Sequence, residues 1–264
     1  MNLAREPTTG FHVFHVIPDA WGPFVDIRAM YQSLARRAPW IEAITPAEYL
    51  ILQAVPEIWM DPRVAFVVWD LATAKPIIKP RKALLLPVYS EALDPEDNKL
   101  LRNHRAVWLR FIGDCDSFDG VFGHTPKMQQ QLRRGASCPS FVLPVGWDPH
   151  TMGIPRWDAP KFKELTFHGS IVGRREIILP YLYETLNRGR DAGPLLVNIS
   201  GAYGRGLLGD LDTARASLYI AHSDVESYST WRLWQVASTS CVMFSEPGDT
   251  WPFEAEAHYV GIEK

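Results

Sequence analysis

The chain has 264 residues, 47% hydrophobic and 22% charged, enough apolar material for one large domain or two small ones. A net charge of −3 supplies no overall basic field for non-specific nucleic-acid binding, and no apolar run approaches the ~20 residues that span a bilayer. Cys115, Cys138 and Cys241 are odd in number and widely spaced, which fits a reduced, cytoplasmic protein better than a disulfide scaffold or a zinc site. Residues 1–10 lack the apolar core of a signal peptide.

In chain order, Phe11–Ile17 alternates weakly and ends at Pro18-Asp19, a first strand. Trp21-Gly22-Pro23 makes a loop before a helix over Val25–Arg37. In a doubly wound fold that loop lies at the carboxyl end of the strand, where ligands collect. Thr45-Pro46-Ala47-Glu48 combines an N-cap, a proline at the first helical position and an early acid, so Glu48–Val55 reads as helix. Val64–Trp69 and Ala83–Tyr89 are the next strands, and Asp94-Pro95-Glu96-Asp97 opens a helix carrying Leu100, Leu101 and Trp108. Phe118–His124 and Ser140–Gly146 then bracket a helix over Pro126–Arg134. Residues 151–163 are rich in breakers and loop-like. The expected domain boundary lies near residue 145.

The second half repeats the alternation without a fixed-period repeat. Leu165–Ser170 starts it, followed by Gly173-Arg174-Arg175 and a helix to about Asn187. Leu195–Ile199 is a strand, Gly201, Gly204, Gly206 and Gly209 read as loop, and Leu208–Ala216 as a short helix. Leu218–Ala221 and Cys241–Ser245 are short apolar runs that suit buried strands. Between them Trp231, Trp234, Val236 and Ala237 give a brief amphipathic helix, with Ser227, Ser229 and Thr230 as candidate N-caps. Alternating strands and helices point to α/β architecture with parallel sheets.

The stretch Glu226–Val260, with Arg232, Ser245-Glu246, Trp251-Pro252-Phe253 and His258-Tyr259-Val260, resembles the C-terminal half of GT-B glycosyltransferases. It is most similar to the group 1 family and its spore-maturation CgeB-type branch. Pro144-Val145-Gly146-Trp147-Asp148 is similar to the "Pro-x-Gly-x-Asp" that GT-B proteins often carry at the linker between domains. The resemblance implies two Rossmann-like domains with parallel sheets facing across a cleft. Residues 1–145 would form the acceptor-side domain and 146–264 the nucleotide-sugar domain. Two departures stand out: Trp234-Gln235 replaces the usual helix Glu for the nucleotide ribose, and Lys264 follows soon after the last motif.

A transferase using a sugar nucleotide must hold two phosphates and stabilise charge on the leaving group, which N–H dipoles and arginines can do without a metal. Gly169 and Ser170 at a strand end, with Arg174 and Arg175 on the next helix, supply these parts. They also suit an ordinary strand-to-helix turn with solvated arginines. The resemblance implies donor roles for Glu226, Ser227, Tyr228, Ser229, Arg232, Gln235 and Glu246. Glu226 is otherwise an exposed loop carboxylate, and Glu246 a capping group. Arg232 near a helix start opposes the helix dipole unless an anion or acid answers it. Asp19 and Glu91 are the candidate bases for the acceptor hydroxyl.

His12 and His15 point to opposite faces of a strand and make no metal pair. Asp114-Cys115-Asp116 resembles the Asp-x-Asp metal motif of the other large glycosyltransferase fold, in a different setting, so no metal site is expected. Arg102, His104, Arg105, Trp108 and Arg110 form either a solvated helix face or a contact for an anionic acceptor. The expected activity is transfer of a sugar from a nucleoside-diphosphate donor to a glycan, a protein or modified DNA, with no cofactor beyond the co-substrate. The competing expectations are a catalytically inactive nucleotide or carbohydrate binder and a related sugar-nucleotide epimerase.

Overall fold

The structure is a computed structural model describing residues 10–19, 24–69, 79–89, 115–146, 148, 151, 153–154, 156–171, 173–191, 193–199, 204–221, 230–248 and 250–262. Described residues up to Pro144 and from Val145 onward form two compact units. Among them no helix is long and apolar enough to cross a membrane.

The first unit is a six-stranded, wholly parallel sheet in the order β2-β1-β3-β4-β5-β6. Its strands are β1 (His12–Val16), β2 (Ile41–Ile44), β3 (Val64–Trp69), β4 (Leu84–Val88), β5 (Val121–Gly123) and β6 (Ser140–Val142). All six residues of β3 are buried, as expected for a central strand covered on both faces. Helix α1 (Phe24–Ala35) connects β1 to β2, and α2 (Pro46–Leu52) and α3 (Pro56–Trp59) lead to β3. Thr45 caps α2: its Oγ1 accepts from the Glu48 N–H at 3.1 Å, and Glu48 Oε2 accepts from the Thr45 N–H at 2.6 Å. Helix α4 (Pro126–Gly135) sits between β5 and β6.

The second unit is a five-stranded parallel sheet in the order β11-β10-β9-β7-β8. The strands are β7 (Lys163–His168), β8 (Leu196–Ile199), β9 (Ala214–Tyr219), β10 (Val242–Ser245) and β11 (Val260–Gly261), joined by α5 (Arg175–Asn187), α6 (Gly204–Asp212) and α7 (Thr230–Ala237). Side chains alternate across β9. Leu218 and Ile220 pack with Phe167, Leu196 and the α5 residue Leu179, whereas Tyr219 packs with Leu207, Leu211, Leu233 and Val236 of α6 and α7. The chain leaves β7 toward β8, then returns to the other side of β7 as β9. The gap between the carboxyl ends of β7 and β9 is therefore the switch point at which open α/β sheets bind ligands.

One expectation is corrected here. Of residues 208–216, read from sequence as one helix, 208–212 are helical and 214–216 belong to β9, and Gly204, Gly206 and Gly209, read as loop, lie in helix α6, whereas Gly201 lies outside the described residues. Helix α6 begins at Gly204 and ends at Asp212, and Ala214 already pairs with Lys163 in the sheet. Gly204 starts the helix at a φ of +59°, and Gly206 and Gly209 lie inside it because Leu207 and Leu211, 1% and 0% exposed, lock one face into the core. That burial outweighs about 1 kcal/mol of unfavourable propensity per glycine.

Candidate functional site

The groups of interest in the second unit gather at the carboxyl ends of β7, β9 and β10. Strand β7 ends in His168, and Gly169 follows with φ +146°, a conformation that side-chain-bearing residues rarely adopt. A β-carbon placed on Gly169 would lie 3.3 Å from Arg175 Nη1 and 3.8 Å from Arg232 Nη2. Two guanidinium groups, one from α5 and one from α7, thus close on a bare stretch of backbone beside the switch point.

Arg175 is held firmly. Its Nε donates to the Ile220 carbonyl at 2.7 Å and its Nη1 to the Ser170 carbonyl at 3.1 Å. Its guanidinium lies 5.4 Å from the centre of the Phe167 ring and 5.6 Å from that of Tyr219. Burial lowers its pKa, and Tyr219 and Glu246 oppose the shift. Arg175 therefore ties β7 to β9 while keeping its charge at the strand ends. Arg174, its neighbour, donates from Nη1 to Glu246 Oε2 at 2.7 Å. The same carboxylate oxygen accepts from the Ala221 N–H at 2.8 Å, and Glu246 is 4% exposed. Glu246, just past β10, is an internal counter-charge that fixes the α5 terminus against β9 and β10. Arg232 donates from Nη1 to Gln235 Oε1 at 2.8 Å, and Gln235 is 3% exposed. The Gln235 carbonyl is thus turned toward Arg232.

The structure brings together Gly169, Ser170, Arg174, Arg175, Arg232, Gln235 and Glu246 from the sequence-derived set. Glu91, Glu226, Ser227, Tyr228 and Ser229 lie outside the described residues, as do Asp114 and the cluster from Arg102 to Arg110. Asp19 belongs to the first unit, is 82% exposed at its side chain and pairs with Arg28 at 3.1 Å.

Sequence reasoning missed His168. It is 3% exposed, its Nδ1 lies 3.0 Å from Ser217 Oγ, and its Nε2 has no hydrogen-bond partner among the described residues. Burial, then the Arg232 and Arg175 charges, hold its pKa well below the usual value, so the ring is neutral. The available signal was an imidazole ending the Leu165-Thr166-Phe167-His168 run directly before a glycine.

At the carboxyl end of the first unit's sheet sits a second polar cluster. Trp69 Nε1 donates to His15 Nδ1 at 3.2 Å, and the His15 ring stacks on Tyr31 with centroids 3.7 Å apart. His124 stacks on Trp69 at 5.5 Å and donates from Nδ1 to the Leu143 carbonyl at 3.0 Å. Burial lowers His15 to about 3 and His124 to about 4. His12, by contrast, lies 3.7 Å from Glu42 and packs at a tilt against Phe14, so the two β1 histidines take different partners.

No protein-family model matches the chain, and no curated protein matches it in sequence. Solved structures do match. The crystal structure of TarM aligns with a TM-score of 0.55 at 10% identity, covering 81% of this chain and 48% of that one. A mutant of S. aureus TarM in complex with Fondaparinux, alpha-GlcNAc-glycerol and UDP aligns with a TM-score of 0.56, also at 10% identity and with 81% and 48% covered. The chain thus spans about half the length of the structures it matches. At this identity the likeness shows the fold alone: two parallel sheets with interleaved helices in a GT-B-like α/β architecture.

Proposed function

We propose that the chain works as a glycosyltransferase that takes its sugar from a nucleoside-diphosphate donor, with the diphosphate at the carboxyl ends of β7 and β9. The convergence of Arg175 and Arg232 on Gly169 beside the switch point supports this reading most directly. As the bond from sugar to diphosphate breaks, negative charge accumulates on the leaving phosphate. Guanidinium groups already in place stabilise that charge, so we propose a reaction independent of a bound cation. The donor nucleotide is proposed to be UDP, the nucleotide in the TarM complex. The acceptor is a glycan, a protein or modified DNA, and Asp19 is proposed as its base. The widely spaced cysteines support a cytoplasmic setting.

The test is titration of the protein with UDP, followed by a screen of UDP-sugars for UDP release with and without an acceptor panel, repeated with a chelator. Saturable UDP binding and acceptor-dependent release that survive the chelator are expected. Failure of UDP and of every UDP-sugar to bind would overturn the reading. Gln235 favours a second reading, a catalytically inactive binder: its carbonyl faces Arg232 at the position where the GT-B resemblance leads one to expect a Glu for the ribose. Binding without turnover of any donor would select that reading.

A further inference from the structure

Among the described residues, His168 pairs deep burial with a ring nitrogen that has no partner. Its proton can be placed by counting hydrogen bonds. The Ser217 hydroxyl is fully buried, and its oxygen lies 3.0 Å from His168 Nδ1. If Nδ1 carried the proton, the serine hydrogen and the Nε2 lone pair would both be left without a partner. If Ser217 donates to Nδ1 instead, the proton sits on Nε2 and one donor alone is unsatisfied. Burying a polar group without a partner is unfavourable, so the second arrangement prevails. It leaves a buried N–H without an acceptor at the end of β7, immediately before the glycine on which two guanidinium groups converge.

We propose that His168 contacts the donor: its Nε2–H donates a hydrogen bond to a phosphate oxygen held by Arg175 and Arg232. The proposal rests on the donor-site reading above and adds a residue to it. A neutral donor suits this position better than a third cation. In the empty site a further positive charge would face Arg175 and Arg232 without an answer, whereas an imidazole N–H adds little to that repulsion. Once the diphosphate arrives, the bond has an ionised acceptor, the strong class of hydrogen bond. Ser217 acts through His168 as a positioning residue, fixing the tautomer and the ring plane from the neighbouring strand.

The experiment measures UDP, inorganic pyrophosphate and uridine affinity by calorimetry for wild type and for His168→Phe, His168→Asn and His168→Gln. Phenylalanine removes both nitrogens, asparagine places an amide near Nδ1, and glutamine places one near Nε2. UDP and pyrophosphate affinity is expected to fall about 10- to 100-fold in His168→Phe and His168→Asn. Uridine affinity should stay unchanged, and glutamine should recover most of the loss. Because a buried substitution can unfold the protein, the same contact is also read in wild type from the imidazole 15N resonances. UDP should shift Nε2 while Nδ1 keeps its position. Normal UDP affinity in His168→Phe, or an Nε2 signal unmoved by bound UDP, overturns the role of His168 and leaves the donor site standing. Failure of wild type to bind either UDP or pyrophosphate overturns the donor site and this proposal together.

Discussion

Glu246 is a carboxylate taken out of water, and its two partners determine what its removal costs. It answers Arg174 at 2.7 Å and the Ala221 N–H at 2.8 Å, with side-chain exposures of 16% for Arg174 and 5% for Glu246. Truncating one member of such a pair leaves the other charge poorly solvated, whereas removing both charges leaves neither stranded. Glu246→Ala should therefore destabilise the unliganded protein by about 2–4 kcal/mol, and Arg174→Met combined with it should recover part of that loss. Urea denaturation of the single and double variants checks this; strict additivity would show that the pair is not coupled. Arg175 differs in kind, since its Nε and Nη1 donate to the Ile220 and Ser170 carbonyls and hold strand ends together.

Helix α6 shows how packing outweighs propensity within an element. Three of its nine residues are glycines, yet its register is fixed by Leu207 and Leu211 on one face. A β-carbon on Gly206 or Gly209 would meet nothing within 4 Å, and neither glycine has a positive φ. Gly206→Ala and Gly209→Ala should each stabilise the protein by about 0.5–1 kcal/mol, by lowering the entropy lost on folding without adding a clash. A rise in the urea midpoint is the expected reading, and a fall would argue against helix at these positions. Gly169 is the opposite case: its φ of +146° and the guanidinium 3.3 Å from the added carbon make alanine unfavourable there.

Across the whole molecule, buried neutral histidines should govern the acid limb of stability. His15 is lowered to about 3 and His124 to about 4, and His168 lies well below its usual value; burial is the first cause of each. The unfolded chain binds protons at these sites near pH 6.5, while the folded protein does not. Their contribution is fully present above pH 6.5 and is lost as pH falls toward the folded values. The slope should reach about 1.4 kcal/mol per pH unit for each histidine. Urea unfolding between pH 8 and pH 5 should show declining stability in both units, since His15 and His124 belong to the first and His168 to the second. A flat profile would mean that these rings are solvated and protonate freely in the fold.

The parallel α/β class was legible in the sequence because it rests on local signals: short buried apolar runs such as Val64–Trp69, and helix starts such as Thr45-Pro46. The arginines near Gly169 were legible too, as charged residues following a strand-end glycine. Strand β2 went unread, because Ile41–Ile44 is four residues long with a Glu inside it. Helix α6 was displaced because glycine propensity pointed one way and the distant core partners of Leu207 and Leu211 pointed the other. The tertiary structure alone decided the partners: that Glu246 answers Arg174, that Gln235 faces Arg232, and that His168 comes under the charges of Arg232 and Arg175 with one nitrogen unsatisfied. Residues 168, 175, 217, 232 and 246 converge only when β7, β9 and β10 align their carboxyl ends. Local periodicity determines which residues form a strand, but the crossover order of the sheet determines which strand ends meet.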